Sequence, residues 1–302
     1  MSLRVLVTGG TGAVGRQLCA YLADQNFEVS ILSRRKNENS LYKTYLWDYK
    51  HSLIDNKALE NCDYVVHLAG AGIADSRWTP QRKREILESR IKTTILLHKA
   101  LSRMNHKVKA VVSASAVGYY GQISSDKTFV ENDAPGSDFV AEVCKKWEEE
   151  NRKFEEIGIR SVQLRIGIVL MKKGGALEKM VQPFKYNLGA VLASGKQIIP
   201  WIHVEDLIRI IYQGIQLTQM QGPYNACSPY PVTNSTFSKL LAKTMKKTIW
   251  LPNIPAFALK IILGNRAVLL TKGSRVSAEK IIDTGFKFNQ PELEPALRNL
   301  LA

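Results

Sequence analysis

The stretch that most constrains this chain is residues 3–15, which read Leu-Arg-Val-Leu-Val-Thr-Gly-Gly-Thr-Gly-Ala-Val-Gly. The apolar start predicts a short buried strand, and the apolar spacing after residue 13 predicts a helix. Between them, Gly10, Gly12 and Gly15 fit the dinucleotide fingerprint, in which glycines make the tight turn, admit a pyrophosphate and let the helix pack on the strand. Gly9 fits an offset form of the same motif. Phosphates would lie over the helix N-terminus, whose free N–H groups favour anions.

The nearest alternative is a phosphate-binding P-loop, and the sequence excludes it. Gly10 and Gly15 have the P-loop spacing, but Arg16 and Gln17 stand where that motif requires Lys and then Ser or Thr. We therefore expect this turn to hold a dinucleotide. The residues of the turn expected to contact it are Gly9, Thr11, Gly12, Ala13, Val14 and Gly15.

The composition is typical of a globular protein. The chain has 302 residues, 45% hydrophobic and 23% charged, enough for one large core with or without a smaller lobe. A strand that begins by residue 3 leaves no room for a signal peptide, and no apolar run reaches the roughly 18 residues of a membrane span. We therefore expect a cytoplasmic protein with no membrane partner. Scattered cysteines and histidines without ligand spacing predict reduced thiols and no metal site.

The formal net charge of +15 raises the possibility of a nucleic-acid partner. Basic residues cluster at Arg77, Arg82, Lys83 and Arg84, but no helix-turn-helix, zinc-finger or aromatic-basic strand pattern accompanies them. We therefore rank nucleic-acid binding last, behind a basic surface with an anionic ligand. The expected partner is a small-molecule substrate.

The end of the second predicted strand bears on the choice between the two nicotinamide cofactors. About 20 residues beyond the glycines, NAD-binding chains place an acid that binds the ribose 2′-hydroxyl. This chain has Ser33, Arg34 and Arg35 there instead. A guanidinium can bind a 2′-phosphate through two parallel hydrogen bonds, and a serine hydroxyl adds a donor. The sequence therefore favours NADP over NAD, and the alternative is a solvated basic loop.

Strands and helices alternate through the first half of the chain. After the first strand, further strands are expected at 27–32, 44–48, 64–68, 109–113 and 160–170, with helices at 80–103 and 139–156. This order predicts an α/β fold, a Rossmann doubly wound parallel sheet. The alternation ends near residue 170, so we place the NADP-binding domain at 1–170, with a returning strand near 222–227. The remainder of 171–302 is then a smaller C-terminal lobe that covers the substrate.

Small and polar residues follow the predicted strand ends, where open parallel sheets bind ligands. Ala69 and Gly70 would let a cofactor lie against the backbone, whereas His67 stands in an apolar run and is interpreted as a core histidine. Ser115 and Tyr119 follow the next strand and are candidate proton-transfer groups. The alternative there is a polar loop with buried aromatics.

Two further stretches contain candidate residues. Glu85 and Arg90 lie near the start of the helix at 80–103, where they either contact the cofactor or remain solvated surface charges. Trp201, His203 and Asp206 form an aromatic and polar segment that we expect near the substrate pocket. His203 has the ordinary pKa for proton transfer, but its more conservative role is to orient a loop.

Several motifs in order resemble those of a known family. They are the glycine turn, Ser-Ala-Ser-Ala-Val-Gly-Tyr-Tyr-Gly at 113–121, Trp-Glu at 147–148, Leu-Arg-Ile-Gly-Ile-Val-Leu at 164–170, Gly-Gly-Ala at 174–176 and Trp-Ile-His-Val-Glu-Asp at 201–206. Together they resemble atypical extended short-chain dehydrogenase/reductases, the NAD-dependent-epimerase-like subfamily labelled epimerase family protein or cell division inhibitor. The resemblance covers nearly the whole chain. It implies a Rossmann domain that binds NADP and a C-terminal lobe that shapes the substrate pocket.

The resemblance also implies site residues by position. Ser115 matches the position of the family's catalytic serine, and Arg90 falls where ordinary extended members usually carry asparagine. Arg35, Gly70 and Ser113, which neighbour matched positions, complete the expected cofactor set. The cofactor contacts implied outside the glycine turn are therefore Ser33, Arg34, Arg35, Leu68, Ala69, Gly70, Glu85, Arg90, Ser113 and Val169.

The chain departs from this family in its catalytic pair. Ordinary members carry Tyr-x-x-x-Lys on the helix that here begins near Asp138, the Tyr as acid/base and the Lys lowering its pKa. Aligned on Trp147 and Glu148, the pair falls on Val140 and Cys144, which cannot do that proton transfer. Two hypotheses remain, an oxidoreductase or epimerase that uses Ser115 with Tyr119, Tyr120 or water, and a non-catalytic NADP-binding sensor or scaffold.

Overall fold

The structure, a computed structural model, describes residues 2–35 and 40–302. Its strands are β1 Arg4–Thr8, β2 Glu28–Ser33, β3 Lys43–Asp48, β4 Leu53–Ile54, β5 Tyr64–His67, β6 Ala110–Ala116, β7 Thr128–Phe129, β8 Arg160–Ile166, β9 Ile168–Leu170, β10 Ile198–Ile199, β11 Trp201–His203, β12 Gly222–Ala226, β13 Val232–Thr233 and β14 Arg275–Val276. Its α-helices are α1 Ala13–Asp24, α2 Pro80–Ser102, α3 Phe139–Arg152, α4 Gly175–Lys185, α5 Val204–Gln216, α6 Asn234–Thr244, α7 Ala256–Leu263, α8 Val268–Thr271, α9 Glu279–Ile282 and α10 Leu293–Leu301.

An eight-stranded sheet in the order β12-β8-β6-β5-β1-β2-β3-β4 organises the molecule. The seven strands from β12 to β3 run parallel, and β4 alone joins antiparallel at the edge. Since β1 lies in the middle and the chain leaves it in both directions, the strand order reverses beside β1. This is the doubly wound Rossmann arrangement, which binds ligands at the carboxyl ends of the strands where the order reverses.

The sheet is covered on both faces because its strands are apolar on both sides. Val5 and Val7 of β1 pack into one core with α1 and α5, whereas Leu6 packs into a second core with Leu97 and Leu101 of α2. Side chains alternate between the two faces of a strand, so a short apolar run supplies both cores. A third core joins α4, α6 and α10 through Leu177, Phe237, Trp201 and Leu297.

The predicted strand at 160–170 is wrong as a single element. The strand is interrupted at Gly167. Beyond it, β9 lies outside the main sheet and pairs with β11. A Cβ atom on Gly167 would lie 2.8 Å from the Pro200 carbonyl oxygen, which accepts a hydrogen bond from the Ile168 N–H at 2.7 Å. Apolar residues flank Gly167 on both sides, at 164, 166 and 168–170, so periodicity alone does not show the break. Val169 therefore lies beyond the main sheet.

The predicted helix at 139–156 is also too long. α3 ends at Arg152 and tightens into a 3-10 turn, Lys153–Ile157, before Gly158 takes a left-handed φ of +78°. Phe154, in this turn, is fully buried in the second core. Apolar spacing continues through the 3-10 turn, which explains why the sequence pattern overruns the helix.

No helix in residues 2–35 and 40–302 is long and apolar enough to cross a membrane. All four cysteines are buried and unbonded to one another. Among the same residues, no group of His, Cys, Asp and Glu side chains has the arrangement of a metal site.

Candidate functional site

The glycine turn after β1 has the geometry of a close strand-to-helix passage. Gly9 takes a φ of +73°, and the Gly12 N–H donates to the Gly9 carbonyl at 2.9 Å. A Cβ atom on Gly15 would lie 2.2 Å from that carbonyl oxygen and 2.7 Å from Cα of Gly10. Any side chain at Gly15 would therefore force α1 away from β1. Gly10 is similarly confined, since its Cβ would lie 2.9 Å from the Ile31 side chain.

The N-terminus of α1 is available to an anion. Its N-cap residue is Gly12, and no side chain caps the first turn, which also holds no acidic residue. Thr11 and Gly12 are exposed, and Ala13 and Val14 are half-buried behind them. Because the first N–H groups of a helix need an acceptor, this uncapped turn suits a phosphate.

The end of β2 adds positive charge at the same edge of the sheet. β2 pairs with β1, so Leu32 lies opposite Thr8 and Ser33 follows at the strand end. Arg34 and Arg35 are exposed, and the Arg35 N–H donates to the Ser33 hydroxyl at 3.3 Å. Neither guanidinium forms an ion pair within residues 2–35 and 40–302. Among the described residues, both side chains thus keep their guanidinium donors for a ligand or solvent.

The backbone after β5 closes the opposite side of the glycine turn. A Cβ atom on Gly9 would contact Leu68 and Ala69 backbone atoms at 3.0 and 3.1 Å, so the two segments touch. The Thr8 hydroxyl accepts from the Ala69 N–H at 3.2 Å and meets His67 Nδ1 at 2.7 Å. The small residues after β5 therefore lie where the sequence places them, beside the glycines.

His67 is a core residue in the structure. It is fully buried, and its ring nitrogens contact the hydroxyls of Thr8 and Thr94. Burial lowers the pKa of His67 to about 3. Because the charged form is desolvated in the folded state alone, His67 is neutral there at any moderate pH.

We predict that His67 makes the fold sensitive to mild acid. Its pKa is about 3 when folded and about 6.5 when unfolded, so between these values only the unfolded state binds the proton. Its contribution is therefore complete above pH ~6.5 and is lost by up to about 1.4 kcal/mol per pH unit below it. Urea unfolding of wild type and His67→Gln at neutral and mildly acidic pH should show a shallower pH dependence for the variant. Parallel pH dependences would contradict the prediction.

Arg90 and Glu85 occupy different environments on α2. Glu85 is exposed and pairs with Arg82 at 2.7 Å. Arg90 is half-buried, donates to the carbonyls of Ala71 and Ile86, and lies over the Trp147 ring. Burial lowers the pKa of Arg90, and no described carboxylate forms an ion pair with it. A desolvated cation without a counter-ion is costly, so this site favours an anionic ligand.

Arg90 also lies against the predicted cofactor edge. A Cβ atom on Gly70 would meet the guanidinium carbon of Arg90 at 3.1 Å. Its charge is also close enough to Cys144 of α3 to affect that thiol. Arg90 therefore joins the segment after β5 to the helix on which the usual catalytic pair would stand.

The two serines of β6 have different surroundings. Ser113 is fully buried, and its hydroxyl donates to the Val162 carbonyl of the neighbouring strand β8 at 3.2 Å. Ser115 lies two residues further, beyond the register in which Ser113 pairs with His67. Its hydroxyl donates to Glu148 Oε1 at 2.6 Å. With its proton used in this way, Ser115 meets a substrate only as a hydrogen-bond acceptor.

The helix positions of the expected catalytic pair hold buried apolar groups. Val140 and Cys144 are 4% and 3% exposed, and the thiol lies beside the Ser115 hydroxyl. Burial raises the pKa of Cys144 to about 12. The thiol is thus protonated at neutral pH, and neither residue is a base there.

The carboxylate that accepts from Ser115 belongs to a buried ion pair. Glu148 and Arg165 are each 1% exposed and joined by two hydrogen bonds of 2.9 Å. Arg165 also donates to the Tyr120 hydroxyl at 3.0 Å and to the Glu131 carbonyl at 2.9 Å. No sequence pattern predicted this pair, although Glu148 and Arg165 both stand in motifs shared with the family.

The two tyrosines after β6 differ in what their hydroxyls contact. Tyr120 accepts from Arg165 and donates to Asn225 Oδ1 at 2.7 Å, and burial raises its pKa. The Tyr119 ring lies against the Arg165 guanidinium, 3.5 Å from the ring centroid. Its hydroxyl has no hydrogen-bond partner among the described residues. Of the two phenols, Tyr119 alone is available for proton transfer.

The predicted polar segment around β11 has a structural role. Trp201 is 1% exposed and packs in the third core, so it does not line a pocket. His203 Nδ1 accepts from the Glu205 N–H and caps α5. Asp206 is buried and accepts from the N–H groups of Asn289 and Gln290 at 2.8 and 2.9 Å. The more conservative interpretation of His203 is the one its geometry favours.

A contact that the sequence did not predict lies on the other side of α1. Gly174 takes a φ of +81°, and a Cβ atom there would lie 3.0 Å from Ala13 Cβ at the start of the helix. The turn after β9 therefore packs on the uncapped helix end, with half-buried Val169 five residues before it. A glycine pair in the sequence was the available signal.

These contacts bring most of the expected cofactor residues to one edge of the sheet. The glycine turn, the β2 end and the segment after β5 adjoin one another through β1, and Arg90 and Gly174 flank them. Uncapped N–H groups, three guanidiniums that form no ion pair with a described residue, and glycine backbone that a ligand can approach are the donor set that a dinucleotide phosphate needs. The residues present therefore fit a bound dinucleotide. Ser113 is the member whose hydroxyl points elsewhere.

Comparison with known proteins agrees with this geometry. Residues 5–227 match the model of the NAD dependent epimerase/dehydratase family, and residues 254–300 match a domain of unknown function, DUF1731. The chain belongs to the NAD dependent epimerase/dehydratase family. Its family relatives include epimerase family protein YfhF of Bacillus subtilis, 36% identical over 99% of this chain and 98% of that one.

Solved structures of the family share the fold over the whole chain. Human epimerase family protein SDR39U1, solved with NADPH, has a TM-score of 0.87 at 31% identity and covers 99% of both chains. A nucleoside-diphosphate sugar epimerase from Corynebacterium glutamicum has a TM-score of 0.82 at 29% identity, covering 100% of this chain and 58% of that one. The resemblance to atypical extended short-chain dehydrogenase/reductases is thereby confirmed, as is the Rossmann fold. A nicotinamide nucleotide is the general cofactor of the family.

Proposed function

We propose that this chain is an NADP-dependent oxidoreductase that acts on a small carbonyl or alcohol substrate without a Tyr–Lys pair. The observation that carries the proposal is the basic end of β2. Arg34 and Arg35 are exposed, lack described carboxylate partners and adjoin the uncapped N-terminus of α1. A 2′-phosphate would supply the anion that these guanidiniums do not find among the described residues. The NADPH in the human relative's structure supports the same choice.

In this proposal the cofactor residues divide by the part of the dinucleotide they hold. The glycine turn and the first N–H groups of α1 bind the pyrophosphate, and Ser33 and Arg34 bind the 2′-phosphate. Leu68 and Ala69 line the adjoining surface. Arg90 supplies positive charge close to Cys144 and Trp147, where ordinary members place the lysine. When bound, NADPH supplies a hydride to a carbonyl carbon, and the resulting oxygen needs a proton.

Tyr119 donates that proton in our proposal. Its hydroxyl has no described partner, and the Arg165 guanidinium fixes its ring. Ser115 orients the substrate by accepting a hydrogen bond, because its own proton is held by Glu148. Tyr120 is unsuited to the role, since Arg165 and Asn225 occupy its hydroxyl.

We predict that Tyr119→Phe lowers turnover by about 100-fold or more while NADPH binding changes little, since general-acid catalysis contributes about 10²–10⁴-fold. The measurement is NADPH absorbance with a panel of aldehydes and ketones, and calorimetry for the cofactor. Tyr120→Phe is the matched control. It also removes a phenol hydroxyl, but one that is already held in hydrogen bonds with Arg165 and Asn225. Full turnover by Tyr119→Phe would remove Tyr119 from the mechanism. Full turnover by Ser115→Ala would likewise remove Ser115.

A second function, NADP binding without catalysis as a redox sensor or scaffold, is favoured by one observation. Val140 and Cys144 fill the positions of the usual catalytic pair with buried apolar groups. Tight NADPH binding with no hydride exchange on any carbonyl, together with a partner captured in a cofactor-dependent manner, supports this alternative. Failure to bind NADPH would remove both functions.

A further inference from the structure

Helix α7, Ala256–Leu263, presents an apolar face to solvent. Phe257, Ile261 and Ile262 are 69%, 73% and 64% exposed, and Leu259 is the one buried residue of the helix. Its sequence, Ala-Phe-Ala-Leu-Lys-Ile-Ile-Leu, contains a single polar side chain, Lys260. Large exposed apolar side chains grouped on one short helix are unusual in a monomer and mark an interaction surface.

The charge around this helix points to the chemistry of its partner. Lys260 lies on the helix, Arg77 donates to its Ile262 carbonyl, and Arg266 follows in the next turn and donates to the Ala74 carbonyl. None of these three cations forms an ion pair among the described residues, since the nearby carboxylate of Asp75 pairs with Arg82 and Lys179. A surface that combines exposed apolar side chains with unpaired positive charge is complementary to a partner whose negatively charged outer layer covers an apolar interior.

We propose that α7 docks this protein on an anionic lipid bilayer surface. Phe257, Ile261 and Ile262 would enter the boundary between headgroups and acyl chains, and Lys260 would remain at the phosphates. No helix among the described residues could cross a membrane, but a helix that lies on the bilayer surface does not need that length. Such docking would differ from the expectation of no membrane partner, which rested only on the lack of an apolar run long enough to span a membrane.

A second copy of this chain and a different protein are the other possible occupants of the α7 surface, and both fit these observations less well. In a two-fold dimer through α7 the same surface faces itself, so Lys260, Arg77 and Arg266 of one copy would lie close to the same cations of the other. A protein partner needs roughly 800 Å² on each side with a polar rim, which one eight-residue helix does not provide. A bilayer needs no matching shape.

The docking surface borders the candidate cofactor site. Arg77 Nη2 donates to the Ile262 carbonyl at 3.2 Å, and Arg266 Nη1 donates to the Ala74 carbonyl at 2.8 Å. Both bonds tie the α7 region to the segment after β5, whose Ala71 carbonyl accepts from Arg90. Docking through α7 would therefore bring the mouth of the site close to the bilayer. The proposal is independent of whether the site is catalytic.

The test is sedimentation of the purified full-length chain with vesicles of two compositions, phosphatidylcholine alone and phosphatidylcholine with phosphatidylglycerol. We expect binding to the anionic vesicles, at least about tenfold weaker binding to the neutral ones, and weakening by salt. Ile261→Glu should weaken binding to anionic vesicles by at least about tenfold. Leu53→Glu makes the same change at a 62% exposed leucine on edge strand β4 and should bind like wild type.

Any one of three results would overturn the proposal. The first is no binding of the wild type to anionic vesicles, and the second is binding by Ile261→Glu that equals that of the wild type. The third is a loss of binding in Leu53→Glu as large as the loss in Ile261→Glu. Sedimentation velocity without lipid gives a further check, because an oligomer that Ile261→Glu dissociates would assign α7 to a second copy instead. Thermal melting of both variants shows whether they fold, and the exposed positions make that the expected outcome.

Discussion

Replacing Glu148 by alanine is expected to lower the free energy of unfolding by about 3–5 kcal/mol, the usual cost of leaving a buried charge without its partner. Arg165 would remain 1% exposed, with no carboxylate at ion-pair distance among the described residues. Its remaining acceptors would be the Tyr120 hydroxyl and the Glu131 carbonyl, which do not neutralise a cation. Urea unfolding followed by circular dichroism at neutral pH measures the effect.

The controls separate charge from packing. Glu149→Ala removes the adjacent carboxylate, which is half-exposed and 3.9 Å from Lys145, and should change stability little. The double substitution of Glu148→Leu with Arg165→Met should recover much of the stability, because it removes both buried charges. A Glu148→Ala protein as stable as Glu149→Ala would show that Arg165 finds another partner or water, contrary to our account.

Arg34→Glu is expected to weaken NADPH binding by roughly 100-fold, equivalent to about 2.7 kcal/mol, and NADH binding by no more than a few-fold. The substitution replaces an exposed cation at the end of β2 by an anion. An anion there repels the 2′-phosphate that NADPH has and NADH lacks. Isothermal titration calorimetry with both cofactors, at one fixed salt concentration, gives the two ratios.

Arg103→Glu is the matched control for this prediction. Arg103 is exposed and caps the C-terminus of α2, so the variant has the same net charge as Arg34→Glu with the change placed outside the glycine turn and the β2 end. It should bind both cofactors like wild type. Equal losses of NADPH and NADH in Arg34→Glu would mean that Arg34 does not read the 2′-phosphate.

The glycine turn shows why part of this site was predictable. The sequence indicated a strand, a tight turn and a helix within residues 3–15, and β1 and α1 begin within a residue of those positions or at them. Gly15 has to be glycine because of an atom only six residues away, the Gly9 carbonyl oxygen. Such constraints act within one turn of chain, so spacing in the sequence contains them.

The strand break at Gly167 shows the opposite case. Apolar residues continue past Gly167 to residue 170, and the reason for the break is the Pro200 carbonyl, which lies far away in sequence. Trp201 is similar, since aromatic and polar neighbours suggested a pocket and the packing of α4, α6 and α10 buries it. Hydrophobic patterns report that a residue is buried or exposed, but not against what.

Local sequence patterns were sufficient to predict the Rossmann class, the dinucleotide turn and the basic end of β2, because each depends on residues close together in the chain. The surroundings of the reacting groups, in contrast, depend on the tertiary fold. Ser115 meets Glu148 across 33 residues, Tyr120 meets Asn225 across 105, and Arg90 has no described counter-ion. Hydrogen-bond partners and desolvation depend on which elements the fold brings together, and that information is distributed over the whole chain.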